Sequence, residues 1–118
     1  MKKFRLVLIT ENQNSVEKGK RFAKLICEKL NSENGFEISK YEKLTNSYRI
    51  EIVGEISGLN NSILESIELT DRICSPWIIT FDRKEDEVEL IFNKSESSLY
   101  CNNAFNVLNW AIFEIEKS

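Results

Sequence analysis

Residues 4–9, Phe-Arg-Leu-Val-Leu-Ile, constrain the fold more than any other stretch, because both alternating sets are apolar: Phe4, Leu6 and Leu8 on one, Val7 and Ile9 on the other. A strand of this kind has no wet side, so it belongs in the middle of a sheet with cover on both faces. A chain of 118 residues that is 42% apolar can build a core around it without disulfide or metal staples, which predicts a single domain over 1–118. The start is basic, but Arg5 interrupts the apolar run and no small-residue cleavage site follows, so a secretory signal is not expected. No stretch approaches the roughly 20 apolar residues of a bilayer span, and a cytoplasmic protein is expected.

Around that strand the pattern alternates between two periods. Ser15 can cap a helix in which Phe22, Ala23, Ile26, Cys27 and Leu30 recur at helical spacing, with Asn34-Gly35 as its stop. Residues 36–44 and 48–56 predict two strands joined at Thr45-Asn46-Ser47, the second burying Tyr48, Ile50 and Ile52 and turning Arg49 and Glu51 outward. Ser62-Ile-Leu-Glu65 has the reciprocal capping form for a second helix running to about Arg72, with Ile63, Leu64 and Ile67 as its apolar stripe. After Pro76, residues 77–81 and 88–92 predict a hairpin with a charged turn, and Asn102 or Asn103 can cap a last helix.

The predicted order is β-α-β-β-α-β-β-α, an α+β fold with an antiparallel sheet of about five strands and helices packed on it. Its first six elements follow the ferredoxin-like order, extended by one strand and a C-terminal helix. That architecture hosts many activities and names none.

Chemistry is narrowed mostly by what the chain lacks. It has no histidine, hence no imidazole base and no triad built on one. Its four glycines, Gly19, Gly35, Gly54 and Gly58, spell no phosphate-cradling loop. Cys27, Cys74 and Cys101 are odd in number and widely spaced, unlike a disulfide framework or a zinc site, and are expected to be reduced and structural. No catalytic, cofactor-binding or metal-binding residue is therefore expected, and the chain reads as a binding protein rather than an enzyme. Lys18, Lys20, Arg21, Lys24 and Lys29 lie on the first helix, but Glu17 and Glu28 sit among them, the overall pI is near 5.1 and no basic-aromatic motif accompanies them; a solvated helix face is expected, not a nucleic-acid site.

Two features suggest a surface for a protein partner. Residues 1–59 carry 11 basic and 8 acidic side chains, whereas 60–118 carry 5 and 11. Such asymmetry marks a charged surface, unless the fold interleaves the halves and mixes the signs. Within the acidic half, Asp82, Glu85, Asp86, Glu87 and Glu89 crowd one hairpin, where they either guard a sheet edge or meet a basic partner. On a helical wheel of the last segment, Ala104, Phe105, Val107, Leu108, Ala111, Ile112 and Ile115 fill one side. Trp110 and Phe113 fall among Asn106, Asn109, Glu114 and Lys117 on the other, either covered by a neighbouring segment or offered as a contact surface.

In size, acidity and its ending, Val-Glu-Leu-Ile-Phe-Asn (88–93) followed by Phe-Asn-Val-Leu-Asn-Trp-Ala-Ile-Phe-Glu-Ile-Glu (105–116), the chain resembles the immunity proteins of bacterial contact-dependent growth inhibition and polymorphic-toxin systems. The resemblance implies an inhibitor that occludes a cognate toxin, a basic nuclease for example, with no residue carried over as a family site. Alternatives are a regulatory small-molecule-binding domain of the ACT kind, against which the glycine-free loop 10–14 speaks, and a small adaptor of a larger assembly.

Overall fold

The computed structural model describes residues 2–57, 61–82 and 87–115. In chain order they form β1 (Lys2–Thr10), α1 (Val16–Leu30), β2 (Glu37–Lys40), β3 (Tyr48–Ile56), α2 (Ser62–Asp71), β4 (Cys74–Ser75), β5 (Ile78–Asp82), β6 (Glu87–Asn93), β7 (Leu99–Tyr100), a 3-10 turn (Asn103–Val107) and β8 (Leu108–Ile115). Instead of the expected five or so, six strands make one antiparallel sheet in the order β2-β3-β1-β8-β6-β5, and β4 and β7 pair separately. The fold is α+β, and β1 is internal as its double apolar pattern requires.

One face of the sheet carries the core. Phe4, Leu6 and Leu8 of β1 meet Ile50, Ile52 and Ile56 of β3, Ala111, Phe113 and Ile115 of β8 and Val88, Leu90 and Phe92 of β6, and the helices cover them. From α1 come Phe22, Ala23, Ile26, Cys27 and Leu30, the five side chains its periodicity selects, and Ser15 caps it by accepting from the Lys18 amide. Gly54 leaves room for a ring: a Cβ there would run into Phe4, which stacks on Phe113 at 5.0 Å between centroids.

Four local expectations are corrected. Helix α1 stops at Asn31, which adopts the left-handed conformation (φ 54°) before Asn34-Gly35 is reached. The strand expected over 36–44 contracts to Glu37–Lys40 at the sheet edge. The Ser62/Glu65 box does not form: Asn61 caps α2, while Glu65 turns back to the amide and hydroxyl of Ser57. Leu64, expected in the stripe of α2, is exposed, and Ser66 and Thr70 are buried in its place by donating to backbone carbonyls one turn back.

The largest correction concerns the chain end. The expected C-terminal helix is a single 3-10 turn, capped by Asn102 as anticipated, followed by a strand. An apolar run such as 107–115 satisfies both periods, and its Trp, Ile and Phe favour the pleated one. Tertiary demand decides between them. β1 is paired by β3 on one side only, and its other row of buried backbone donors and acceptors needs a strand, as does that of β6; β8 fills that slot and pairs with both. The ferredoxin-like order thus holds for β2-β3-β1, but the place beside β1 is taken by the last strand and not by the one after α2.

Candidate functional site

The face of the sheet away from the helices is built by the other half of each strand's side chains. Because directly opposed residues of antiparallel strands point the same way, the registers place side chains in rows across it. One row runs Glu37, Glu51, Val7, Ile112, Ile91, Ile78, and the next Ser39, Arg49, Ile9, Trp110, Asn93. A third runs Val53, Arg5, Glu114, Glu89, Thr80. An apolar band therefore crosses the middle of this face, with charged rows on one flank and no helix over it. Val7 and Ile9 are buried by their neighbours, Trp110, Ile112 and Ile91 are half-buried, and Ile78 at the edge is exposed.

Trp110 reaches this face through a bulge. The pairing Ile9 to Trp110 shifts to Thr10 to Leu108, so Asn109 is an extra residue in β8. In an unbroken strand 108 and 110 would share a side. The bulge lets Leu108 enter the core while Trp110 points to the open face, and Asn109 uses its freedom to donate to Glu11 at 3.1 Å. Beside Trp110 lies a hollow of about 410 Å³, lined by Val7, Ile9, Tyr41, Leu44, Arg49 and Asn109. It is large enough for one bulky side chain of a partner.

Charge on this face follows the chain's two halves. The sheet is not interleaved: β2, β3 and β1 come from the first half of the sequence, β8, β6 and β5 from the second. On the first side Arg5 donates to Glu51 at 2.7 Å and Arg49 to Glu51 at 3.1 Å. The hydrogen bond from Arg5, then that from Arg49 and the charge of both, outweigh partial burial and hold the Glu51 carboxyl below the ordinary glutamate value. On the second side, among the described residues, the face carries Asp82, Glu87, Glu89 and Glu114 and no Lys or Arg. Glu89 stands directly opposite Glu114, and Asp82 opposite Glu87. Arg5 reaches across, 3.8 Å from Glu114. The sequence asymmetry is thus a spatial one, and the mixing that would have erased it does not occur. The basic residues of α1 lie on the far side of the molecule, exposed on the helix layer.

Of the expected contact residues, Asp82, Glu87, Glu89 and Trp110 share this face, Glu89 two rows and Asp82 and Glu87 three rows along the strands from Trp110. Glu85 and Asp86 lie outside the described residues. Phe113 is a correction: it is 0% exposed, on the core side. Residues three apart share a helix face but take opposite faces of a strand, so the pairing of Trp110 with Phe113 fell with the helix. Arg5, Arg49, Ile91, Ile112 and Glu114 were missed as site residues. Their signal was the alternation of Trp110, Ile112 and Glu114 against Ala111, Phe113 and Ile115, and a lone Arg5 in an otherwise apolar strand.

Cys27 and Cys74 are buried, and burial pushes both thiols up, Cys74 well beyond the ordinary range with Cys101 and Asp71 adding to it. Cys101 is exposed and donates to the Asp71 carbonyl at 2.9 Å. Among the described residues no three Cys, Asp or Glu side chains converge to hold a metal ion, and no helix is long and apolar enough to cross a membrane. No protein-family model, curated protein or solved structure matches this chain, which leaves the surface itself to speak for function.

Proposed function

We propose that the chain is a non-enzymatic binding protein that captures a basic protein partner on the open face of its sheet, acting as an immunity-type inhibitor that occludes a cognate toxin. The observation that supports this most is the make-up of the open face: Trp110, half-buried beside a hollow on an apolar band that no helix covers, and, four residues along β8 from it, the start of a sector whose described charges on β5, β6 and β8 are all carboxylates. Large uncovered apolar surface in a monomer marks an interaction site, and aromatic anchors ringed by charge are what recognition surfaces use. Opposed carboxylates such as Glu89 and Glu114 cost stability in the free protein. A basic cleft set against them would recover that cost and would be steered in by the field.

The test is protection. Cells carrying the toxin-candidate reading frame next to this gene should survive when the chain is co-expressed and die when it is not. Trp110→Ala, and separately Glu89→Gln with Glu114→Gln, should weaken protection and lower affinity for the purified toxin domain about tenfold or more. Equal protection by all three proteins would remove the open face from recognition.

A further inference from the structure

A second surface, independent of the open face, lies at the end of the sheet. β5 is the terminal strand: one side pairs with β6 and the other has no strand beside it among the described residues. All five of its residues are exposed, Ile78 at 66%, Ile79 at 43% and Phe81 at 40%. Leu99, 70% exposed, stands opposite Ser75, from which Pro76 and Trp77 lead into β5. Among the described residues, the other exposed large apolar side chains are Leu44 and Leu64.

Edge strands are ordinarily protected by brevity, by charge or proline within the strand, by a bulge or by a covering element. The opposite edge follows that rule: β2 has four residues, charged Glu37 and Lys40 at its ends, and Ile38 turned in against α1 beside Gly19. β5 is less guarded. Its one charge is Asp82 at the end, Ile-Ile-Thr-Phe before it carries no charge or Pro, and its register with β6 is unbroken.

We propose that β5 is a self-association edge, on which two copies pair β5 to β5 antiparallel about a two-fold axis through Thr80, joining their sheets into one. The self-complementarity of the strand argues for a second copy as the occupant. An axis perpendicular to the sheet keeps the helix sides of both copies level, and through Thr80 it pairs all five residues. Ile79 then faces Phe81 of the second copy, twice, on the helix side. On the open side Thr80 faces its own equivalent, and Ile78 faces Asp82. Apolar pairs and Thr–Thr pairs are favourable cross-strand neighbours, and no two like charges are opposed. The same two-fold leaves both open faces uncovered, so toxin capture and self-association are compatible.

Sedimentation over a dilution series tests this without any partner. The mass should rise from that of the 13.8 kDa chain towards twice that value with concentration. Ile79→Lys with Phe81→Lys places like charges opposite each other across the axis and should weaken self-association about tenfold or more. Ile79→Lys with Phe81→Glu sets opposite charges there and should recover most of it, a rescue that mere loss of hydrophobicity does not produce. Both sites are exposed in the single chain, and a thermal melt confirms that each variant is folded. A folded monomer at every concentration overturns the proposal and leaves a strand from a foreign protein as the occupant of this edge. A dimer indifferent to both double variants overturns it as well.

Discussion

On the helix side of the sheet, Phe4, Leu6, Ile52, Phe113 and Leu90 are sealed from water; on the other side of the same strands Arg5, Glu51, Trp110, Ile112 and Glu89 are half-covered or charged. Backbone pairing is common to both faces. What separates them is burial, since two helices cover one, while among the described residues the other has no helix over it and the loop carrying Tyr41 and Leu44 lines part of it. The covered face is made for stability, and carries no like-charge opposition. The open face tolerates arrangements that cost stability, Glu89 against Glu114 among them, and surfaces that do so are where function is to be sought.

The sharpest way to break this division is to truncate two aromatics three residues apart in β8. Phe113→Ala removes a fully buried ring stacked on Phe4 and should cost about 3–5 kcal/mol in a denaturant titration. Trp110→Ala removes a larger side chain but a half-exposed one, and should cost less than about 2 kcal/mol of stability while taking most of its effect in partner affinity. Equal losses of stability would mean that the open face is structural too.

A smaller effect carries the opposite sign. Glu89→Lys replaces an opposed pair of like charges with an attractive one, and should raise stability by about 0.2–1 kcal/mol while slowing capture of a basic partner. A fall in stability would show that Glu89 already makes a favourable contact.

The smallest effect is in pH dependence. The Glu51 carboxyl is held below its ordinary value, so its pairing with Arg5 and Arg49 contributes in full above the unfolded glutamate value of about 4.3 and is lost as pH falls through the lower folded value. With both arginines partly exposed, the contribution is at most about 1 kcal/mol. Glu51→Gln should therefore be slightly less stable than the parent at neutral pH and converge with it in acid. A gap that persists or widens on acidification would reverse the sign of the interaction.

Legibility in the sequence tracked how local the deciding force was. Ser15, Phe22, Ala23, Ile26, Cys27 and Leu30 were readable because a cap and a 3.6-residue stripe lie within one stretch of chain. Tyr48–Ile56 was readable to the residue because its alternation is clean. The C-terminal segment was not, since Val107, Leu108, Trp110, Ala111, Ile112, Phe113 and Ile115 satisfy helix and strand alike. Their misplaced aromatics were nevertheless the clue: Trp110 and Phe113 fit poorly on a helix because the true period there is two.

By itself the sequence determined that β1 lies inside a sheet, that α1 covers it, and that acidic charge gathers in the second half of the chain, since each depends on residue type and short-range spacing. Only the tertiary structure decided that 108–115 is a strand, that a one-residue bulge sends Leu108 inward and Trp110 outward, and that the acidic hairpin and Trp110 share one surface. Those outcomes rest on which backbone groups were left unpaired along β1 and β6, a demand set by strands about a hundred and about twenty residues away, where no local pattern records it.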